Sequence, residues 1–85
     1  MTSPALAPPT LTLRQRQVLN LVAAGHTSTQ IGRQLGIGAT TVQRHLHNIY
    51  DELGAHDRAH AVALAIHYGH ITLAELARIA SKDAA

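Results

Sequence analysis

Apolar residues fall into five short stretches of helical period, and polar punctuation separates them. Thr12-Leu13-Arg14-Gln15 has a hydroxyl at a cap position and an amide three residues on, the pattern of a capping box. Val18, Leu19 and Val22 follow as an apolar stripe joined by Leu21, and Gly25 stands where a helix would stop. Thr27-Ser28-Thr29-Gln30 repeats the box ahead of Ile31 and Leu35, and Gly36 closes that stretch after about two turns. A third helix is predicted from Ala39 to Leu53, with Gly54 as its stop. Val42, Leu46, Ile49 and Leu53 form its apolar stripe at i, i+4, i+7 and i+11. The opposite face, Thr40, Gln43, Arg44, His47 and Asp51, holds no aliphatic residue. Asp57 can cap a fourth helix over about 58–68, ended by Gly69. Thr72-Leu73-Ala74-Glu75 opens a short fifth helix through about Ser81, with Leu73, Leu76, Ala77 and Ala80 on one side. No stretch alternates with period two, so no strand is expected.

The fourth helix is ambiguous in rotation. Ala59, Val62, Ala63 and Ile66 make one apolar stripe, assigned here to the core, and Ala61, Leu64, Ala65 and Tyr68 make a second. A small domain does not leave a second stripe in water. Either the fifth helix covers it or a second subunit does. The alanines of the fifth helix permit close approach at the same interface.

Composition agrees with helices. The chain has 85 residues, enough for one small domain. Phe, Trp and Cys are absent, and fifteen residues are alanine, so the core is Leu, Ile, Val and Ala. Without Cys there is no disulfide, Cys-based zinc site or thiol nucleophile, as suits a cytoplasmic protein. No apolar run is long enough for a membrane span, and the N-terminus lacks the layout of a signal peptide. A core this small leaves little room for a substrate pocket, and no residue looks like an activated nucleophile, which argues against an enzyme. Residues 1–10 hold all three prolines and read as a disordered tail. Residues 11–71 read as the domain, and 72–85 as a C-terminal helix and tail.

Charge is unevenly spread. Residues 1–50 carry Arg14, Arg16, Arg33 and Arg44 and no acidic side chain. Residues 51–85 carry Arg58, Arg78 and Lys82 against Asp51, Glu52, Asp57, Glu75 and Asp83. A polyanion would meet the first part. Seven histidines raise the question of a metal. His56 and His60, and His67 and His70, are spaced as pairs, but neither pair has a third ligand nearby, and no metal or other cofactor is expected.

The second and third helices, joined through Gly36, Ile37 and Gly38, are spaced as a helix-turn-helix. Beyond spacing, the string itself resembles the LuxR/FixJ-type DNA-binding domain. The resemblance rests on Leu11-Thr12, Arg14, Val18-Leu19, Ala24-Gly25, Ile31-Gly32-Arg33-Gln34-Leu35-Gly36-Ile37, Thr41-Val42, His45-Leu46, Asn48-Ile49-Tyr50, Leu53-Gly54, Asp57-Arg58-Ala59 and Ala61-Val62. It covers about residues 11–71 without gaps. It implies an all-α, four-helix helix-turn-helix domain, here with an additional short C-terminal helix. The third helix would read the major groove, and the fourth would pair two subunits on an inverted-repeat site.

Four residues, at three places, depart from the family's habit. Ser28 and Thr29 stand where its second helix usually begins with basic residues, Gln43 replaces the Lys of Thr-Val-Lys, and Glu52 replaces a basic residue before Leu-Gly. Each phosphate without a basic partner lowers the salt slope by roughly 0.9, so weaker non-specific binding is expected.

The expected DNA-contacting set is Thr29, Thr40, Thr41, Gln43, Arg44, His45, His47 and Asn48. Gln43 suits adenine and Arg44 suits guanine. Thr40 and Thr41 either donate to phosphate or cap the helix. His45 borders the apolar stripe, where packing competes with a backbone contact. The expected partners are double-stranded DNA and a second copy of the chain through Ala61, Leu64, Ala65 and Tyr68. Ten Pro-rich residues cannot form a sensor domain, so the chain reads as a stand-alone transcriptional regulator. A competing reading is a protein-interaction module on the same fold, binding another regulator or RNA polymerase. The missing basic residues favour that alternative and the polar third-helix face disfavours it.

Overall fold

The computed structural model describes residues 8–84, with side chains to residue 78. Five helices follow one another: α1 Leu13–Ala23, α2 Ser28–Leu35, α3 Ala39–Leu53, α4 Arg58–His67 and α5 Leu73–Ala84. No strand occurs among the described residues. The expected helices are all present, within one or two residues for the first four, and α5 continues three residues past its expected end. The expected disordered tail lies outside the described residues over 1–7. Its end, Pro9–Thr10, is held on the domain: the Pro9 carbonyl meets His70 Nε2 at 2.9 Å, and Thr10 N–H donates to Glu52 Oε2 at 3.2 Å.

The helix starts are built as the sequence implies. Thr12 and Gln15 exchange hydrogen bonds of 2.9 and 3.1 Å, and Thr27 and Gln30 bonds of 2.8 and 3.2 Å. Thr72 and Glu75 close a third box. There the Thr72 backbone N–H holds the Glu75 carboxyl below the usual range, because it bonds the charged form. Asp57 caps α4 by accepting from His60 N–H at 2.8 Å. Each arrangement satisfies N–H groups that a helix start leaves unpaired.

α3 is the central element and packs on α1, α2 and α4. Its stripe Val42, Leu46, Ile49 and Leu53 is buried, facing Val18, Leu19 and Val22 of α1 and Ile31 of α2. Leu11 and Ile71, which flank the bundle, complete the core. Fully burying one such side chain contributes roughly 1.5–3 kcal/mol, so the aliphatic stripe of α3 is a major source of stability.

α4 is rotated from the expected setting. Ala61 and Ala65, expected on the subunit-facing stripe, are 0% exposed in the core. Ala59 and Ala63, expected in the core, are exposed, while Val62, Leu64 and Ile66 are half-buried against it. Tyr68 is 42% exposed. Both sides of this helix are apolar, so periodicity cannot choose between them. Both sides carry two alanines, so the fit against α1 and α3, on which α4 packs, makes the choice.

The turn between α2 and α3 depends on glycine twice. Gly36 has φ 71° and ψ 32°, the left-handed region that a side chain disfavours. Gly36→Ala is therefore expected to cost about 1–2 kcal/mol, read as a lower urea midpoint with an unchanged m-value. At Gly32 the constraint is space: a Cβ there would sit 2.5 Å from the Ile37 carbonyl oxygen. That close approach lets Ile37 fold back and donate its N–H to the Gly32 carbonyl at 2.9 Å.

Candidate nucleic-acid interface

The solvent face of α3 is polar, and its opposite face is core. Thr40, Gln43, Arg44, His47 and Asn48 are exposed on it, and Thr41 and His45 are half-buried at its margins. The burial of Val42, Leu46 and Ile49 fixes the helix rotation, so these polar side chains cannot turn away. The N-cap of α3 is Gly38, and no side chain caps it. The hydroxyls of Thr40 and Thr41 are therefore not spent as caps. The first turn of α3 holds no acidic residue, so its positive end is not neutralised from within.

Thr29 is exposed on the first turn of α2, whereas its neighbour Ser28 is buried. Between the start of α2, the middle of α3 and the start of α4 lies a cleft of about 200 Å³, lined by Ser28, Gln43, Leu46, His47, Tyr50 and Arg58. It brings Gln43 and His47 together with three polar residues absent from the expected set: Ser28, Tyr50 and Arg58. The His47 and Tyr50 rings are tilted, with centroids 6.3 Å apart. Burial pushes the Tyr50 phenol above its usual range, partly opposed by the Arg58 charge and reinforced by Asp57. Tyr50 is thus a neutral hydroxyl at physiological pH. Arg58 stands in the family-like string Asp57-Arg58-Ala59, directly after the cap, but nothing local says where its side chain ends.

The histidine pairs are otherwise engaged. His60 Nδ1 accepts from His56 N–H at 3.1 Å, and the two rings stack with centroids 5.1 Å apart. His70 reaches Pro9. Among the described residues no three His, Cys, Asp or Glu side chains gather as a metal site. No helix among them is long and apolar enough to cross a membrane. The expected subunit-facing set is divided: Ala61 and Ala65 are core, Leu64 is half-buried, and only Tyr68 is exposed. Of the other apolar stripe of α4, Ala59 and Ala63 are exposed, and Val62 and Ile66 are half-buried against the core.

Comparisons with known proteins agree with this architecture. The probable transcriptional regulatory protein SgaR of Hyphomicrobium methylovorum is 48% identical over 56 residues, 66% of this chain and 26% of its own length. The probable transcriptional regulatory protein NarL of Mycobacterium tuberculosis is 41% identical over 58 residues, 68% of this chain and 27% of its own. The chain thus spans about a quarter of these curated relatives. The solved structure of the transcription factor GerE superposes with a TM-score of 0.70 at 30% identity, covering 74% of this chain and 94% of that one. The GerE family, described as bacterial regulatory proteins of the luxR family, matches residues 9–65, the span from the ordered end of the tail through most of α4. With its helix-turn-helix, its α3 core stripe and this match over more than half its length, the chain belongs to the luxR family of bacterial regulatory proteins.

Proposed function

We propose that this chain is a sequence-specific DNA-binding module of a transcriptional regulator, acting as a homodimer on an inverted-repeat site with α3 in the major groove. The observation that carries this is α3 itself: one face is locked in the core, and the opposite face is polar, exposed and acid-free over its first turns. Its 15 residues make a rod of roughly 22 Å, which a major groove admits. Gln43 and Arg44 meet base edges. Thr40, Thr41, His45, His47 and Asn48, with Thr29 from α2, meet the sugar-phosphate backbone. The second subunit docks on the outward stripe of α4, centred on the exposed Ala59 and Ala63 with the half-buried Val62 and Ile66 at its margin, and the small alanines allow close helix approach.

Selection of genomic fragments by the purified protein at moderate salt tests this reading. Recovery of a common inverted repeat supports it. Arg44→Ala should then cost roughly 1–3 kcal/mol and relax preference at one position per half-site. An equal loss on every sequence would make Arg44 a phosphate contact instead. A second reading, a protein-interaction module, draws on the exposed Leu13, Tyr68 and Leu73. It predicts that no fragment is enriched and that a regulator or RNA polymerase is bound instead.

A further inference from the structure

Arg58 is the first residue of α4, and its side chain spans the gap to the start of α2. Its Nη1 donates to the His26 carbonyl oxygen at 3.1 Å, and its Nη2 donates to Ser28 Oγ at 2.6 Å. These two acceptors stand on either side of Thr27, the N-cap of α2. Ser28 is 8% exposed and is the buried polar residue of the described core. Apart from this bridge, α2 and α4 scarcely touch, since α3 lies between them.

The bridge is not explained by charge. Both acceptors are neutral, and a cation at the positive end of α2 gains nothing from the helix dipole. Asp57, the nearest acid in sequence, is spent on its cap bond to His60 N–H. What the guanidinium provides is a rigid planar fork, with two donors held at a fixed angle and two acceptors on one short segment. Lysine supplies charge without that fork.

We infer that Arg58 is a positioning residue for the DNA-reading face: it fixes the start of α2 against α4, and through the tight Gly36–Gly38 turn it fixes α3 as well. This rests on the proposed function, in which α4 pairs the subunits and α3 enters the groove. With α4 at the twofold axis, a small rotation of α2 and α3 against it changes the separation of the two recognition helices. A single half-site tolerates that rotation, because one module can re-seat alone. A full inverted repeat does not, because its half-sites have a fixed spacing.

The test compares wild type, Arg58→Gln, Arg58→Lys and Ser28→Ala. Binding is measured on the selected full repeat, on a single half-site and on unrelated duplex, each across a salt series. Amide exchange at Ser28–Ile31 is followed in the free proteins, with circular dichroism to verify folding. The expected result is a loss of about tenfold or more on the full repeat for Arg58→Gln. Half-site and unrelated-duplex binding should be nearly unchanged, the salt slope unaltered, and the start of α2 faster to exchange. Arg58→Lys should lie nearer to Arg58→Gln than to wild type, and Ser28→Ala should reproduce part of the effect with the charge still present. If Arg58→Gln fails to fold, the other two variants carry the test.

A salt slope lower by roughly 0.9 would make Arg58 a phosphate contact and overturn the proposal. Equal losses on all three DNAs, or unchanged full-repeat binding in every folded variant, would also overturn it. If wild type selects no DNA, the proposed function fails and the positioning role with it. Amide exchange separates that failure from an absent brace, because it needs no DNA.

Discussion

Ala63→Glu is expected to yield a fully helical monomer that binds a complete inverted repeat 10²- to 10⁴-fold more weakly than wild type, the range by which two linked binding modules exceed one. Ala63 is exposed in the middle of the outward α4 stripe, and Glu is a good helix former, so stability should change by no more than about 0.5 kcal/mol. In a twofold pairing the same residue lies opposite or near its own copy. Two carboxylates would then be brought together where water is excluded, and the pair of recognition helices would lose its separation of about one DNA turn, roughly 34 Å. Half-site binding should be nearly unchanged. Sedimentation, circular dichroism and binding to full and half sites check this. Ala61→Glu is the contrasting variant: Ala61 is 0% exposed, so a carboxylate there enters the core and should unfold the monomer. If Ala63→Glu still dimerises and still binds the full repeat, the pairing surface lies elsewhere on the domain.

Ile49→Ala should strongly destabilise the domain. Ile49 is 0% exposed in the centre of the α3 stripe, among Val18, Leu19, Ile31 and Val42. Truncation removes buried methyl groups and leaves a cavity, at a cost of about 2–5 kcal/mol. A domain of this size has a total stability of roughly 4–13 kcal/mol, so the variant should lose a large share of it and unfold at a markedly lower urea concentration. Because the DNA-facing side chains stand on the same helix, binding should fall on every sequence alike, unlike the position-specific loss expected for Arg44→Ala. Urea unfolding followed by helical circular dichroism is the measurement. Leu73→Ala is the control: Leu73 is 74% exposed, and its truncation should change stability by less than about 0.5 kcal/mol. A midpoint for Ile49→Ala equal to that of the control would contradict the packing described for α3.

Local features are legible in the sequence. The boxes at Thr12 and Gln15, Thr27 and Gln30, and Thr72 and Glu75 each pair residues three apart, so donor and acceptor are brought together by helix geometry alone. The stops at Gly36 and Gly54 follow from single-residue backbone preference, and both adopt positive φ. The rotation of α3 is legible because only one of its faces is aliphatic. Burying Val42, Leu46, Ile49 and Leu53 exposes Thr40, Gln43, Arg44 and His47, whatever surrounds the helix.

Tertiary structure alone decided the rest. α4 is apolar on both sides, so its period allowed two rotations, and the structure adopts the one not expected: Ala61 and Ala65 inward, Ala59 and Ala63 outward. The winning side depends on the shape of the groove offered by the neighbouring helices, which no pattern within 58–67 encodes. The same holds for the bonds that close the domain. Arg58 and Ser28 are 30 residues apart, Pro9 and His70 are 61, and Thr10 and Glu52 are 42. A polar side chain at the start of a helix has many possible acceptors, and only the packed backbone brings one within reach. The sequence determines helix ends and any one-sided helix face, because these need only neighbours within a turn or two. The setting of a two-sided helix and the partner of a long side chain need the assembled core, because their energies depend on distances between elements.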